Sequence, residues 1–328
     1  MPQAVLCRVL EGPAALRLEE VPPADRPGPN DVRVRIHAAG LNFPDLLMAA
    51  GRYQFKPPLP FVLGREAAGV VDAVGSAVTR CRPGDRVLLN LSHGAFAEEI
   101  VASEQTVRLM PAPFSFAEAA CFHVATATAT NALLQRGQLA AGETLLVHGA
   151  GGGVGLAAVE VGKLLGATVI AVAGGPEKLA VATAYGADHA IDHGREDFRE
   201  RVREITAGRG ADVVFDPVGG DTFDASLRCI AFGGRILVVG FAGGRIQQIP
   251  GNQPLLKCIS VVGVQALTHA ERDPAIGDAY ERWMYGHAAQ GRLRPHISHG
   301  LPIARFAEAL DLLASRQAIG RVVLTMQP

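Results

Sequence analysis

The run His148-Gly149-Ala150-Gly151-Gly152-Gly153-Val154-Gly155 constrains what this chain can fold into more than any other stretch. An apolar segment ending at Val147 runs into it, and the helix-forming residues Leu156-Ala157-Ala158-Val159 follow at once. A strand, a glycine turn and a helix in that order place unpaired N–H groups and the positive end of the helix dipole where an anion can dock. The spacing is that of G-x-G-x-x-G with Ala150 in the first glycine position, and it opens a repeated strand-and-helix pattern. The expectation is a dinucleotide site with the pyrophosphate over Gly152, Gly153, Val154 and Gly155, in preference to a merely structural glycine turn.

The pattern around the loop sets the fold class. Strand-like runs at Thr144–His148, Thr168–Ala173, His189–Asp192, Asp212–Asp216, Arg235–Gly240 and Ile259–Val264 alternate with helix-like runs at Val154–Leu165, Glu177–Tyr185, Asp197–Thr206 and Asp221–Ala231. Gly166, Gly186 and Gly208 stand just past helix ends, where a left-handed residue is wanted. Right-handed crossovers between such strands put helices on both faces, giving an α/β, doubly wound parallel sheet. The first third differs: short runs such as Val32–His37 and Arg86–Leu89, broken by Pro and Gly, read as a small β-rich barrel. Helices are expected around Ala275–Gln290 and Ile303–Ser315, then a strand at Arg321–Leu324 that returns to the first domain. The resulting division is 1–122, 123–264 and 265–328.

Composition narrows the function classes. A chain of 328 residues with 48% hydrophobic content can bury more than one core. Its formal net charge of -1 supplies no field for nucleic acid or anionic lipid, so neither is an expected partner. The N-terminal stretch lacks the pattern of an export signal, and the glycine-broken apolar run at 145–175 suits strand, turn and helix better than a membrane span. A cytoplasmic protein is expected. The cysteines at 7, 81, 121, 229 and 258 form no CxxC pair and read as reduced core thiols.

Cofactor choice turns on the end of the second strand of the nucleotide unit. An acidic residue there would hydrogen-bond the ribose hydroxyls of NAD. This chain instead has Ala173-Gly174-Gly175-Pro176-Glu177-Lys178, with small residues making room and a lysine supplying charge for a 2′-phosphate. NADPH is therefore expected, with Gly174 and Lys178 at the adenosine end. The alternative is that Lys178 is an ordinary solvated helix residue, with Glu177 beside it.

The chain resembles the zinc-independent quinone oxidoreductases of the medium-chain dehydrogenase/reductase superfamily over nearly its full length. The markers are His37-Ala38-Ala39-Gly40-Leu41-Asn42-Phe43-Pro44-Asp45, Gly64-Arg65-Glu66-Ala67-Ala68-Gly69, Pro83-Gly84-Asp85-Arg86-Val87, the glycine loop, Asp216-Pro217-Val218-Gly219-Gly220 and Arg294-Pro295-His296-Ile297-Ser298. The resemblance implies a GroES-like β-rich catalytic domain joined to a Rossmann domain, NADPH between them, and a homodimer through the Rossmann sheet edges. Zinc-containing relatives polarise their substrate with cysteine and histidine ligands. Here Asn42 stands where the first ligand cysteine would be and Arg65 where the ligand histidine would be. Cys121 near the third position reads as a packed thiol, His296 and His299 lack further ligands at a useful spacing, and no metal is expected.

By the same resemblance Asn42 and Tyr53 match polar positions facing the substrate cleft, and Asn42 is expected to contact substrate or the nicotinamide of the cofactor. Tyr53 also matches the tyrosine that related enoyl-thioester reductases use as proton donor; the ordinary alternatives are a turn role for Asn42 and packing with Phe55 for Tyr53. Val239, Gly240 and Phe241, at the carboxyl end of the fifth strand, are expected beside the nicotinamide, with Thr126 lining the same cleft. His193 stands where relatives often carry a tyrosine near the 2′-phosphate. The leading expectation is NADPH-dependent hydride transfer to a small electrophile, a quinone or similar conjugated carbonyl, without metal. A 2-enoyl thioester or enone reductase is the enzymatic alternative, and an NADPH-binding structural or RNA-associated protein with little turnover is the alternative from another class.

Overall fold

Among the described residues, sixteen strands form, many where β-branched and leucine residues recur between glycine and proline breaks. They are β1 (Gln3–Cys7), β2 (Arg17–Glu20), β3 (Asp31–Gly40), β4 (Phe61–Val62), β5 (Glu66–Val74), β6 (Arg86–Asn90), β7 (Glu99–Ser103) and β8 (Val107–Leu109). Then come β9 (Thr144–His148), β10 (Thr168–Ala173), β11 (His189–Asp192), β12 (Ala211–Asp216), β13 (Ile230–Val238) and β14 (Ser260–Gly263), followed by β15 (Ile297–Pro302) and β16 (Arg321–Thr325). The computed structural model describes Met1–Met326. Its contacts divide the chain into two units, one of Met1–Val124 with the chain from Arg294 onward, the other of Ala125–Leu293.

In the first unit a seven-stranded sheet runs β15-β16-β3-β5-β6-β8, with β7 also paired to β3, and a smaller sheet runs β2-β1-β4. Along β3, Val32, Val34 and Ile36 are buried while Arg33 and Arg35 between them are not, the period-two alternation of a sheet with one face on a core. Those valines join Leu63, Val87, Leu89, Phe96 and, from the far end of the chain, Val322 and Leu324 in one core. β16 reaches it by pairing antiparallel with β3, Val323 opposite Gly40 and Leu324 opposite Ala39.

In the second unit six parallel strands run β11-β10-β9-β12-β13-β14. Every residue of β9 is buried, as expected of a parallel strand covered on both faces. The strand order reverses between β9 and β12, and ligands in open α/β sheets sit beyond the carboxyl ends of the strands at such a reversal. The α/β class follows from the sequence pattern, and the β-rich GroES-like unit with a doubly wound Rossmann-type sheet is what the resemblance implies. Among the described residues no helix is long and apolar enough to cross a membrane.

Two expectations need correction. The helix expected over 221–231 covers only Asp221–Ser226, because Ile230 already pairs with Ala211 and the Ala211 N–H donates to Cys229 O at 2.9 Å, so ladder bonds replace helical ones. The segment 265–293, expected in the returning tail, packs within the parallel-sheet unit. Its helix Pro274–Ala289 buries Tyr280, Met284 and Ala288, spaced four apart on one face. The preceding helix Ala266–Arg272 is tied to the same unit through His269, whose Nδ1 lies 2.9 Å from Asn131 Nδ2.

Candidate active site

The glycine loop lies at the carboxyl end of β9, on the side of the strand reversal. Gly149 turns it with φ +59°, the Ala150 N–H donates to Val172 O at 3.0 Å, and Gly152 caps the helix Gly153–Leu164. A Cβ on Gly155 would lie 2.2 Å from Gly149 O, so the helix can approach the loop this closely only without a side chain there. Gly149 and Gly152 are exposed, and Gly153 and Val154 half-buried, leaving the helix N-terminus open to a ligand. The neighbouring loop packs beside it: a Cβ on Gly149 would touch Pro217 and Val218.

Lys178, half-buried, belongs to the helix Pro176–Ala184 after β10, and its aliphatic stem lies over Gly151, where an added Cβ would come within 2.8 Å of Cβ, Cγ and Cδ. The structure thus brings the lysine directly onto the glycine loop. His193, exposed, lies against Gly174. Asp192 ties the two turns together, accepting from Gly194 N at 3.0 Å and Gly175 N at 3.3 Å, and these backbone donors hold its carboxyl below the usual range. At the end of β13 Val239 and Gly240 are half-buried and Phe241 is exposed, and the Phe241 ring borders Gly219 in the loop after β12. Thr126 is buried in the helix His123–Thr130.

His148, just ahead of the loop, is structural. Its ring is buried edge-on to Phe198 with Nε2 2.8 Å from Ser226 Oγ. The serine hydroxyl donates to Thr222 O, so Nε2 carries the proton in this pair. Burial pushes the imidazole down to about 3, leaving it neutral.

The second cluster lies in the β-rich unit. Asn42 precedes the helix Phe43–Ala49 and is 3% exposed. Its Nδ2 donates to Glu66 Oε1 at 2.9 Å and its Oδ1 accepts from Arg321 Nη1 at 2.9 Å, so both ends of the amide are committed inside the protein. Arg321 also pairs with Glu66, whose other oxygen accepts from Val124 N at 3.0 Å. Asp45 accepts from Asn42 N at 2.7 Å, and burial raises its carboxyl to about 7. Tyr53, half-buried, accepts a hydrogen bond from Arg65 Nη1 at 3.2 Å. Close by, His93 lies between Phe55 and Phe61 with ring centroids 6.4 and 5.9 Å away.

The positions at which zinc-containing relatives carry ligands do not fit a zinc ion here. Arg65 has donors only, the Asn42 carbonyl is taken by Arg321, and burial pushes the Cys121 thiol up to about 12, where it stays protonated. Among the described residues no group of three or more His, Cys, Asp or Glu could hold a metal. The sequence pointed to Asn42 and Tyr53, and to Arg65 only as a replaced zinc ligand; that Glu66, Arg321 and Arg65 hold the two was not legible. The available signal was two arginines standing next to apolar or small-residue runs, Arg65 just ahead of β5 and Arg321 at the start of β16.

Two family models match, the alcohol dehydrogenase GroES-like domain over residues 28–113 and the zinc-binding dehydrogenase over residues 153–278. The quinone oxidoreductase-like protein 2 homolog of Nematostella vectensis is 38% identical over 98% of this chain and 88% of its own length. The quinone oxidoreductase of Pseudomonas aeruginosa is 37% identical over 95% and 96%. Among solved structures, a quinone oxidoreductase of Pseudomonas syringae superposes with a TM-score of 0.90 at 34% identity, covering 99% of this chain and all of that one. The Escherichia coli quinone oxidoreductase complexed with NADPH gives 0.88 at 29% identity over 98% and 99%. The CurK enoyl reductase gives 0.88 at 27% identity over 99% of both chains.

Proposed function

Because the chain belongs to the quinone oxidoreductase family of the medium-chain dehydrogenase/reductase superfamily, we propose that it transfers hydride from NADPH to a quinone or similar conjugated carbonyl without a metal. The observation that carries this reading is the replacement of the zinc ligands by Arg65 and by an Asn42 whose amide is already committed. With no metal ligand set to polarise an alcohol or simple carbonyl, the acceptor must be electrophilic by its own conjugation.

NADPH, when bound, supplies the hydride; the chain's residues bind and orient it. Gly153, Val154 and Gly155 offer backbone N–H groups to the pyrophosphate, and Gly152, whose own N–H is donated to Gly149 O at 2.9 Å, lets the bare backbone come close, with Ala150 packing beneath them. Lys178 over Gly151 and His193 against Gly174 supply donors for a 2′-phosphate, set against the carboxylate of Asp192, which is taken up by Gly175 N and Gly194 N. Val239, Gly240 and Phe241 take the nicotinamide end, with Thr126, and Tyr53 offers a proton to the acceptor's oxygen while Asn42 steadies the strand segment behind it. The likeness to CurK enoyl reductase favours an enoyl thioester or enone as the second reading. A panel of quinones and enoyl thioesters under single-turnover NADPH oxidation decides between them: reduction of a crotonyl thioester with no quinone reduced overturns the first.

A homodimer through the edge of the parallel sheet completes the reading. Among the described residues β14 pairs with β13 alone, and the helix Asn252–Lys257 leading into it leaves Leu255 and Leu256 77% and 68% exposed. An open strand edge beside exposed leucines suits a second copy. The exposed thiol of Cys258 suits a reducing cytoplasm.

A further inference from the structure

We propose that Arg65 is a positioning residue for the reduction: its guanidinium holds the Tyr53 phenol with the O–H proton directed to the acceptor's oxygen, and pairs with the phenolate left when that proton goes. This rests on the hydride-transfer reading above and adds to it the group that holds the Tyr53 phenol.

Arg65 is held firmly. Gly64 before it has φ +95°, and a Cβ there would lie 2.3 Å from the Phe96 ring. The Ala95 N–H donates to Gly64 O at 3.0 Å and the Leu91 N–H to Arg65 O at 2.7 Å. The side chain is 7% exposed, with Cζ 5.6 Å from the Tyr53 ring centroid. On the other side Tyr53 N–H and Arg52 N–H both donate to Leu47 O, at 3.2 and 2.8 Å, which pins the loop carrying the phenol.

The charge of Arg65 is poorly compensated. Its Nε is buried with no partner, and no carboxylate is hydrogen-bonded to it among the described residues. Glu66, next in the chain, spends its carboxylate on Asn42, Arg321 and Val124 N. Asp45 faces Arg65 at longer range, but burial raises its carboxyl to about 7, so at neutral pH it is only partly ionised. A buried guanidinium without an anion is costly, and a nearby group that becomes anionic during turnover relieves that cost.

The hydrogen bond has one possible direction. A guanidinium has donors only, so the phenol oxygen accepts and its own hydrogen is left for another acceptor. Hydride arrival at a carbon of the acceptor forms the new C–H bond and moves the conjugated electron pair onto the acceptor's oxygen. The Tyr53 O–H bond then breaks, the proton forms the new O–H bond on that oxygen, and the phenolate faces Arg65 until solvent returns a proton. The nicotinamide is oxidised by two electrons and the acceptor reduced by two.

The test is a double-mutant cycle in single-turnover NADPH oxidation, using the quinone or enone that the unmutated chain reduces, with Arg65→Met, Tyr53→Phe and the double variant. Arg65→Met is expected to slow the hydride-linked step about tenfold or more when Tyr53 is present, and by no more than about twofold when it is Phe. Arg65→Lys is expected to recover part of the rate, and the solvent isotope effect of the unmutated chain to vanish in Tyr53→Phe. Arg65→Gln, which keeps a donor without the charge, serves the same cycle should Arg65→Met not fold. Equal losses with and without Tyr53, or a lysine variant no better than methionine, overturn the role of Arg65 alone. An unmutated chain that oxidises NADPH with none of the acceptors overturns the functional reading beneath it.

Discussion

The guanidinium of Arg321 is buried against the carboxylate of Glu66, a residue 255 positions earlier in the chain, with 5% and 1% of the two side chains exposed. The pair joins the returning strand β16 to the start of β5, and Arg321 also donates to Asn42 at 2.9 Å. A buried ion pair contributes little net stability over an apolar pair, but removing one partner strands the other's charge. Arg321→Met or Glu66→Gln should each cost about 3–5 kcal/mol. Arg321→Met with Glu66→Gln should cost clearly less than the sum of the single changes. Guanidinium unfolding curves check this, and additive losses would show that the two side chains do not depend on each other.

Asp45 makes stability depend on pH in the direction opposite to most carboxylates. Its folded value of about 7 lies above the ordinary 3.8, so between those values the folded chain binds the proton more tightly than the unfolded one. Stability therefore falls as pH rises from about 4 to about 7, by up to roughly 4 kcal/mol, and stays low above that. Asp45→Asn should flatten this slope and stabilise the protein at pH 8 relative to the unmutated chain. Thermal unfolding of both proteins across that range tests it; parallel curves would refute it.

His148 acts with the opposite sign. Folding holds its imidazole neutral down to about 3 against an ordinary 6.5, so the unfolded chain binds the proton in that window. Its contribution is complete above pH 6.5 and is lost as pH falls towards 3, on the order of 5 kcal/mol in all. His148→Gln, neutral in both states, should be less stable at pH 7 but lose less on acidification.

Two glycines of the same loop should separate folding from binding. Gly155→Ala forces a Cβ to 2.2 Å from Gly149 O and should destabilise the protein by roughly 1–3 kcal/mol or more while abolishing nucleotide affinity. Gly152 has ordinary extended backbone, φ −92° and ψ 168°, and a Cβ there meets nothing closer than 3.5 Å. Gly152→Ala should keep its melting temperature yet weaken NADPH binding where the pyrophosphate meets the backbone. Unfolding and fluorescence titration of both variants distinguish the two effects.

What was legible in the sequence was what local spacing encodes. The six strands of the parallel sheet, the loop after β9 and the missing acid after β10 all follow from residues near one another in the chain. The short helix at Asp221–Ser226 was overrun because tertiary pairing of Ile230 with Ala211 decides where strand begins. The segment 265–293 was misplaced because a helix face such as Tyr280, Met284 and Ala288 declares that it is buried without saying against what. Asn42 and Tyr53 stood out by the family resemblance, whereas the guanidinium groups of Arg321 and Arg65 that hold them come from positions with no spacing relation to theirs.

The central claim is that this chain passes hydride from NADPH to a conjugated acceptor. Its most direct test is rapid mixing of the NADPH-loaded protein with a quinone, following the absorbance of the reduced nicotinamide through one turnover, beside the same measurement with NADH. Fast oxidation of NADPH, slowed when deuterium replaces the transferred hydrogen at C4 and about tenfold less efficient with NADH, is the result expected from Lys178 on the phosphate loop. NADH used as well as NADPH would contradict the assignment of Lys178, and no oxidation of either nucleotide by any quinone or enone would contradict the account as a whole.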